Sequence, residues 1–144
     1  MSIQWFPGHM TAAKKKAEEA LETNDLVIEV LDARIPGSST NPMIDAIRKE
    51  RQRPCLKILN KSDLADSKIT EDWLSYLNNM PHTKAISITA KSTIDVKKIL
   101  PFCAKLAPHR NSSIKPLRML IMGVPNVGKS TIINAIHHKK IAKV

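Results

Sequence analysis

Four short apolar runs constrain this chain most: residues 26–31, 55–60, 85–88 and 118–122, each rich in Val, Ile or Leu and bounded by polar or turn residues. Runs of that length without polar alternation read as strands covered on both faces. Helical patterns separate them. Met10, Ala13, Ala17, Ala20 and Leu21 line one face of a segment ending near Asn24, and 42–51 and 69–77 are further helices. Val96, Ile99, Leu100, Cys103 and Leu106 recur at helical spacing. Pro101 interrupts that stripe and predicts a kink or a late helix start. Strands alternating with helices predict an α/β fold in three layers, a mostly parallel sheet between helices. Residues 108–116 read as a surface linker into the fourth strand.

Directly after that strand comes Gly123-Val124-Pro125-Asn126-Val127-Gly128-Lys129-Ser130, with a helix expected over 130–137. This is Gly-x4-Gly-Lys-Ser/Thr in its required strand-to-helix setting. The glycines let backbone N–H groups wrap a polyphosphate where a side chain would block approach. Lys129 brings a point charge to the β- and γ-phosphates, and the Ser130 hydroxyl suits Mg²⁺. The loop binds phosphate.

A second motif names the base. Asn60-Lys61-Ser62-Asp63 follows the second strand, at the edge where open α/β sheets bind ligands. A carboxylate there accepts hydrogen bonds from the N1–H and exocyclic amine of guanine, which adenine does not present in that arrangement. Thr89-Ala90-Lys91 follows the third strand and resembles the Ser-Ala-Lys loop whose backbone contacts the guanine carbonyl in GTPases. In the usual GTPase chain the phosphate loop comes first. Here it comes last, and a circular permutation explains the order without new chemistry, because sheet and loops survive relocated termini.

With Trp5-Phe6-Pro7-Gly8-His9-Met10 and Asp32-Ala33-Arg34-Ile35-Pro36 added, the motifs resemble, in this order, those of the circularly permuted GTPases of the YlqF/RbgA family, known as ribosome biogenesis GTPase A. The resemblance runs along the whole chain. It implies a permuted P-loop GTPase fold, with residues 1–24 as an N-terminal arm and helix and 25–144 as the GTP-binding domain. It implies GTP and GDP held by Asn60, Lys61, Asp63, Thr89, Ala90, Lys91, Gly123, Asn126, Val127, Gly128, Lys129, Ser130 and Thr131, with Mg²⁺ on Ser130. Hydrolysis of GTP in assembly of the large ribosomal subunit follows from it, with that subunit and its rRNA as partners of a cytoplasmic monomer. Lys129 is the catalytic cation. His9 has two readings, positioning the attacking water or docking the arm. Asn126 likewise either coordinates K⁺ or shapes the loop. Asp32 and Arg34 suit a structural salt bridge or a role at the nucleotide edge, the former favoured.

The family's switch threonine, its Asp-x-x-Gly loop and its C-terminal RNA-binding domain find no match among these 144 residues. In a permuted chain they are expected beyond Val144, so the switch strands are missing here and this chain should bind nucleotide but hydrolyse it poorly. Two alternatives remain. One is a permuted GTPase of small-subunit or other RNA-linked assembly; the other is an RNA-binding module using GTP only as a conformational ligand.

Charge needs care. The net +10 suggests a nucleic-acid footprint, yet residues 1–96 hold 13 basic and 13 acidic side chains, and all the excess lies in 97–144. Lys115, Arg118, Lys139, Lys140 and Lys143 are the rRNA candidates there, whereas Lys14–Lys16 read as a solvated helix face and Trp5 and Phe6 as anchors of the arm. No apolar run is long enough to span a membrane. Cys55 and Cys103 lack metal-type spacing, which fits a reducing compartment.

Overall fold

The structure, a computed structural model, describes residues 2–3, 10–39, 42–89, 95, 97–108, 117–123 and 131–134. Leu-Val-Ile-Glu-Val-Leu-Asp forms strand β2 (Leu26–Asp32), and every one of its seven residues is buried. Cys-Leu-Lys-Ile-Leu-Asn does the same in β3 (Cys55–Asn60). β4 (Thr83–Ser87) and β5 (Met119–Gly123) complete the expected four, the third starting two residues earlier than its apolar run. All pair in parallel.

Two residues from the segment expected to be an arm, β1 (Ser2–Ile3), join the same sheet as a fifth strand beside β5, with Ile3 opposite Ile121. The strand order is therefore β1-β5-β2-β3-β4. The chain steps outward from β2 to β4, then returns across β2 to place β5. That reversal between β5 and β2 makes a topological switch point, where the loops at the carboxyl edge part and leave a crevice.

The strand period of two sends alternate side chains to opposite layers. Leu26, Ile28, Val30, Leu56, Ile58 and Ile121 pack on Ile99, Cys103 and Ile132, which come from α5 (Ile99–Leu106) and the helical residues 131–134. Val27, Cys55 and Leu120 meet Ala17, Ala20 and Leu21 of α1 (Met10–Thr23) and Ile47 of α3 (Pro42–Glu50) on the other face. Leu31, Leu59 and Ala85 meet α4 (Ser67–Asn78) there, while a short α2 (Pro36–Ser39) follows β2. Three layers result, as expected.

Local chemistry sets the helix ends. Asp66 Oδ1 accepts from the backbone N–H of Lys68 (3.0 Å) and Ile69 (3.1 Å), so α4 starts at Ser67, ahead of its first apolar residue. Asn24 Nδ2 donates to the Ala20 carbonyl at 2.7 Å and closes α1. The stripe is interrupted just ahead of Pro101: Asp95 and Lys97 are helical, Lys98 is a turn, and α5 starts at Ile99. Pro101 thus falls in a first turn, where its missing N–H costs nothing. Lys15 and Lys16 are exposed, consistent with a solvated face. The outer edge of β4 is covered by Asn78, which accepts from Ala85 N–H at 2.9 Å and donates to Ala85 C=O at 3.2 Å.

Candidate functional site

Because every strand is parallel, Asp32, Asn60 and Gly123 all end at one edge, and Thr89 lies two residues past β4. Four segments distant in sequence thereby converge. Asn60 is buried, and its carbonyl receives the Ala33 N–H at 2.7 Å, which joins the ends of β2 and β3. Lys61 then takes a left-handed backbone (φ 63°, ψ 35°), unusual for a side chain with a Cβ. The kink turns Ser62–Leu64 into a single 3₁₀ turn and leaves the Asp63 side chain exposed at the edge.

The two guanine-type loops are tied to each other. Ser62 N–H donates to the Ile88 carbonyl (3.1 Å), and the Ser62 and Thr89 hydroxyls lie 3.4 Å apart. Thr89 Oγ1 donates to Asp63 Oδ1 at 3.2 Å, which orients the carboxylate while Oδ2 stays available. Asp95, which no motif marked, accepts the Thr89 N–H on Oδ2 at 2.8 Å and pins the start of the loop. A lone aspartate six residues past Thr89 carries no signal until the loop is folded.

Asp32 and Arg34 form the salt bridge that the sequence favoured. Arg34 donates from Nε (3.0 Å) and Nη2 (2.7 Å), and from its backbone N–H (2.9 Å), to the Asp32 carboxylate. That carboxylate also lies 3.8 Å from Lys61 Nζ, so the pair reaches into the guanine motif. The Arg34 hydrogen bond holds the Asp32 pKa below its ordinary 3.8, against the opposing effect of burial. A lowered folded-state pKa means this contribution to stability is complete above that value and fades as pH falls through the folded one. Urea midpoints from about pH 5 to about pH 3 should therefore fall less steeply in Asp32→Asn than in the parent; identical slopes would exclude the linkage.

Gly123 closes β5 and residues 131–134 are helical, so a strand end and helical residues flank the phosphate-type motif in sequence. His9, Ala90, Lys91, Asn126, Val127, Gly128, Lys129 and Ser130 lie outside the described residues, as do Trp5, Phe6, Lys115, Lys139, Lys140 and Lys143. Among the described residues no group of three or more His, Cys, Asp or Glu could hold a metal ion. No helix among them is long and apolar enough to cross a membrane. Both cysteines are buried, and burial pushes each thiol up to about 12, which leaves them unreactive.

The sequence also missed a charged cluster beneath α3. Lys57 Nζ lies 2.6 Å from Glu29 Oε1 and 3.1 Å from Asp45 Oδ1, and Arg48 reaches the same Asp45 oxygen at 3.2 Å. Lys57 and Glu29 are buried and directly opposite in the β2–β3 register. Burial alone would lower the Lys57 pKa, but the acidic groups around it, Cys55, Glu29 and Asp45, outweigh that and raise it. The signal was present: a lysine within an otherwise apolar strand requires a buried partner.

A family model described as 50S ribosome-binding GTPase matches residues 118–144, the β5 and phosphate-loop segment. Proteins named Ribosome biogenesis GTPase A are similar along nearly all of the chain. The one from Bacillus cereus is 45% identical over 99% of this chain and 50% of its own length. That from Thermotoga maritima is 36% identical, over 99% and 48%. Mitochondrial ribosome-associated GTPase 1 of Bos taurus is 34% identical over 97% of this chain and 43% of its own. The chain spans about half the length of the curated relatives it matches. The parallel sheet, with the guanine-type motif and the end of β5 on one edge, is an α/β fold of the P-loop GTPase type. Along nearly its whole length, the chain is thus a homologue of the ribosome biogenesis GTPase A family, of whose members it spans about half.

Proposed function

We propose that this protein binds GTP and GDP at the carboxyl edge of its sheet and hydrolyses GTP to GDP and phosphate during assembly of the large ribosomal subunit. One observation carries the reading: Ser62, Asp63 and Thr89 are hydrogen-bonded into a single polar rim on the edge that also receives the end of β5. In this reading the two Asp63 oxygens accept from N1–H and the exocyclic amine of guanine, with Thr89 also donating to Oδ1 and orienting the carboxylate. Asn60 and Lys61 support that loop, and the backbone of Thr89, Ala90 and Lys91 meets the guanine carbonyl. The segment from Gly123 through Asn126, Val127 and Gly128 to Thr131 wraps the phosphates, and Lys129 neutralises charge that develops on them.

Ser130 is the residue that would hold Mg²⁺, which supplies charge neutralisation at the phosphates when bound, and Asn126 is the proposed K⁺ ligand. His9 is the proposed water-positioning group. β1, which precedes His9 in sequence, pairs with β5, the strand that leads into the phosphate-type motif, and this pairing supports the reading. The relatives' names, with ribosome biogenesis and ribosome-associated in them, support the assembly role. The cytoplasm and a monomeric state are part of the same proposal.

GTP turnover by the full-length protein, with and without isolated ribosomal subunits, tests it. Stimulation by the large subunit and not the small is expected. Stimulation by the small subunit alone would redirect the assembly role, and no turnover under any condition would leave GTP as a conformational ligand.

A further inference from the structure

On the sheet face that carries α3 and α4, a cavity of about 470 Å³ opens between the helices. That volume suits a side chain or a small ligand. Its floor is the Lys57–Asp45 ion pair, and its walls are Ile69, Trp73 and Tyr76. The Trp73 and Tyr76 rings meet edge to face, 5.9 Å between centroids and 87° between planes. Gly37 of α2 lies against the indole, where a Cβ would sit in ordinary contact, 3.4 Å from Trp73 Cη2. The mouth is apolar and open: Ile69 is 55% and Tyr76 62% exposed, an exposure of large apolar side chains that marks contact surfaces when clustered.

The charge at the mouth selects the occupant. Asp72 lines it and, among the described residues, makes no hydrogen bond or ion pair. Asp45, by contrast, is already shared between Lys57 and Arg48. Residues 62–78 hold four acidic side chains and one lysine, in a chain whose net charge is +10. Of the ionisable residues that line the cavity, Asp45 and Asp72 are acidic and Lys57 is basic, and Lys57 is already paired with Asp45, so the charge left at the mouth is that of Asp72, which repels a phosphate backbone and attracts a cation.

We infer that this cavity is a docking site for a basic protein segment, which inserts a lysine or arginine side chain flanked by an apolar residue. The aliphatic stem lies along Ile69 and Tyr76, as such stems do on apolar surface. The cationic head pairs with Asp72 and faces the aromatic rings. This inference does not rest on the nucleotide reading, since the cavity shares no residue with that site.

The test uses tryptophan emission. Trp5 and Trp73 are the two tryptophans of the sequence, so Trp5→Phe leaves Trp73 as the reporter. The probe is a capped tetrapeptide of alternating leucine and arginine. Saturable change in Trp73 emission is expected, and Asp72→Lys should weaken it by about tenfold or more through reversal of one charge at the contact. Tyr76→Ala, also at an exposed helical position, should weaken it too. The proposal is overturned by no saturable change, by equal affinity in Asp72→Lys, or by equal binding of the glutamate counterpart. It is equally overturned if a single-stranded RNA oligonucleotide takes the peptide's place, or if the cleft is closed by self-association that Tyr76→Ala abolishes.

Discussion

Asp63→Asn should weaken GDP binding by about 10⁴-fold and create a site for XDP, the xanthine nucleotide. The carboxylate offers two acceptors to a guanine edge that carries two donors. Asparagine replaces one acceptor with a donor, which clashes with the exocyclic amine but matches the carbonyl that xanthine carries in its place. The side chain is exposed, and its one hydrogen bond among the described residues comes from Thr89 Oγ1 at 3.2 Å. The substitution therefore changes recognition and leaves the fold alone. Calorimetric titration with GDP and XDP reads both effects. An Asp63→Asn protein that still binds GDP tightly and rejects XDP removes Asp63 from base recognition.

Lys57→Met should be the most destabilising single substitution in the described sheet. It strips from Glu29, 2.6 Å away and 3% exposed on its side chain, the ammonium that offsets its buried negative charge. Breaking a buried pair from one side costs about 3–5 kcal/mol. Against a total stability of about 5–15 kcal/mol, that is a large fraction. Removing both charges is different in kind, because no unpaired ion remains. Glu29→Leu with Lys57→Met should recover most of the loss, with Asp45 retained by Arg48 at 3.2 Å. Urea unfolding of the two proteins measures this. A double variant no more stable than Lys57→Met would mean that the cluster acts through packing and not through charge.

These two cases also mark what the sequence could and could not reveal. The strands at β2, β3 and β5 were legible because strands covered on both faces need unbroken Val, Ile and Leu, and the loops after them were legible because their chemistry is written in adjacent residues. Asp63 belongs to that class. The early start of α4 was legible in principle, since Asp66 caps within three residues of itself. β1 was not: two residues carry no periodicity, and their pairing with β5 joins positions over a hundred residues apart, Ser2 with Leu120. Likewise, Lys57 announces a missing partner, but only the β2–β3 register identifies Glu29. Asp95 is hidden more deeply, because its bond to Thr89 depends on the loop's path. Asp32 and Arg34 illustrate the middle ground. Their spacing allowed a salt bridge, while the approach of Lys61 follows from strands that end side by side.

In the proposed function, one sheet edge reads guanine and holds phosphate. Competition against a fluorescent GDP analogue tests it most directly. GDP should displace the analogue and ADP should not, with affinities separated by about 10⁴ or more, because adenine leaves the Asp63 carboxylate without its donors. Equal displacement by GDP and ADP would exclude base recognition at this edge, since a site that ignores the base cannot be built on Asp63.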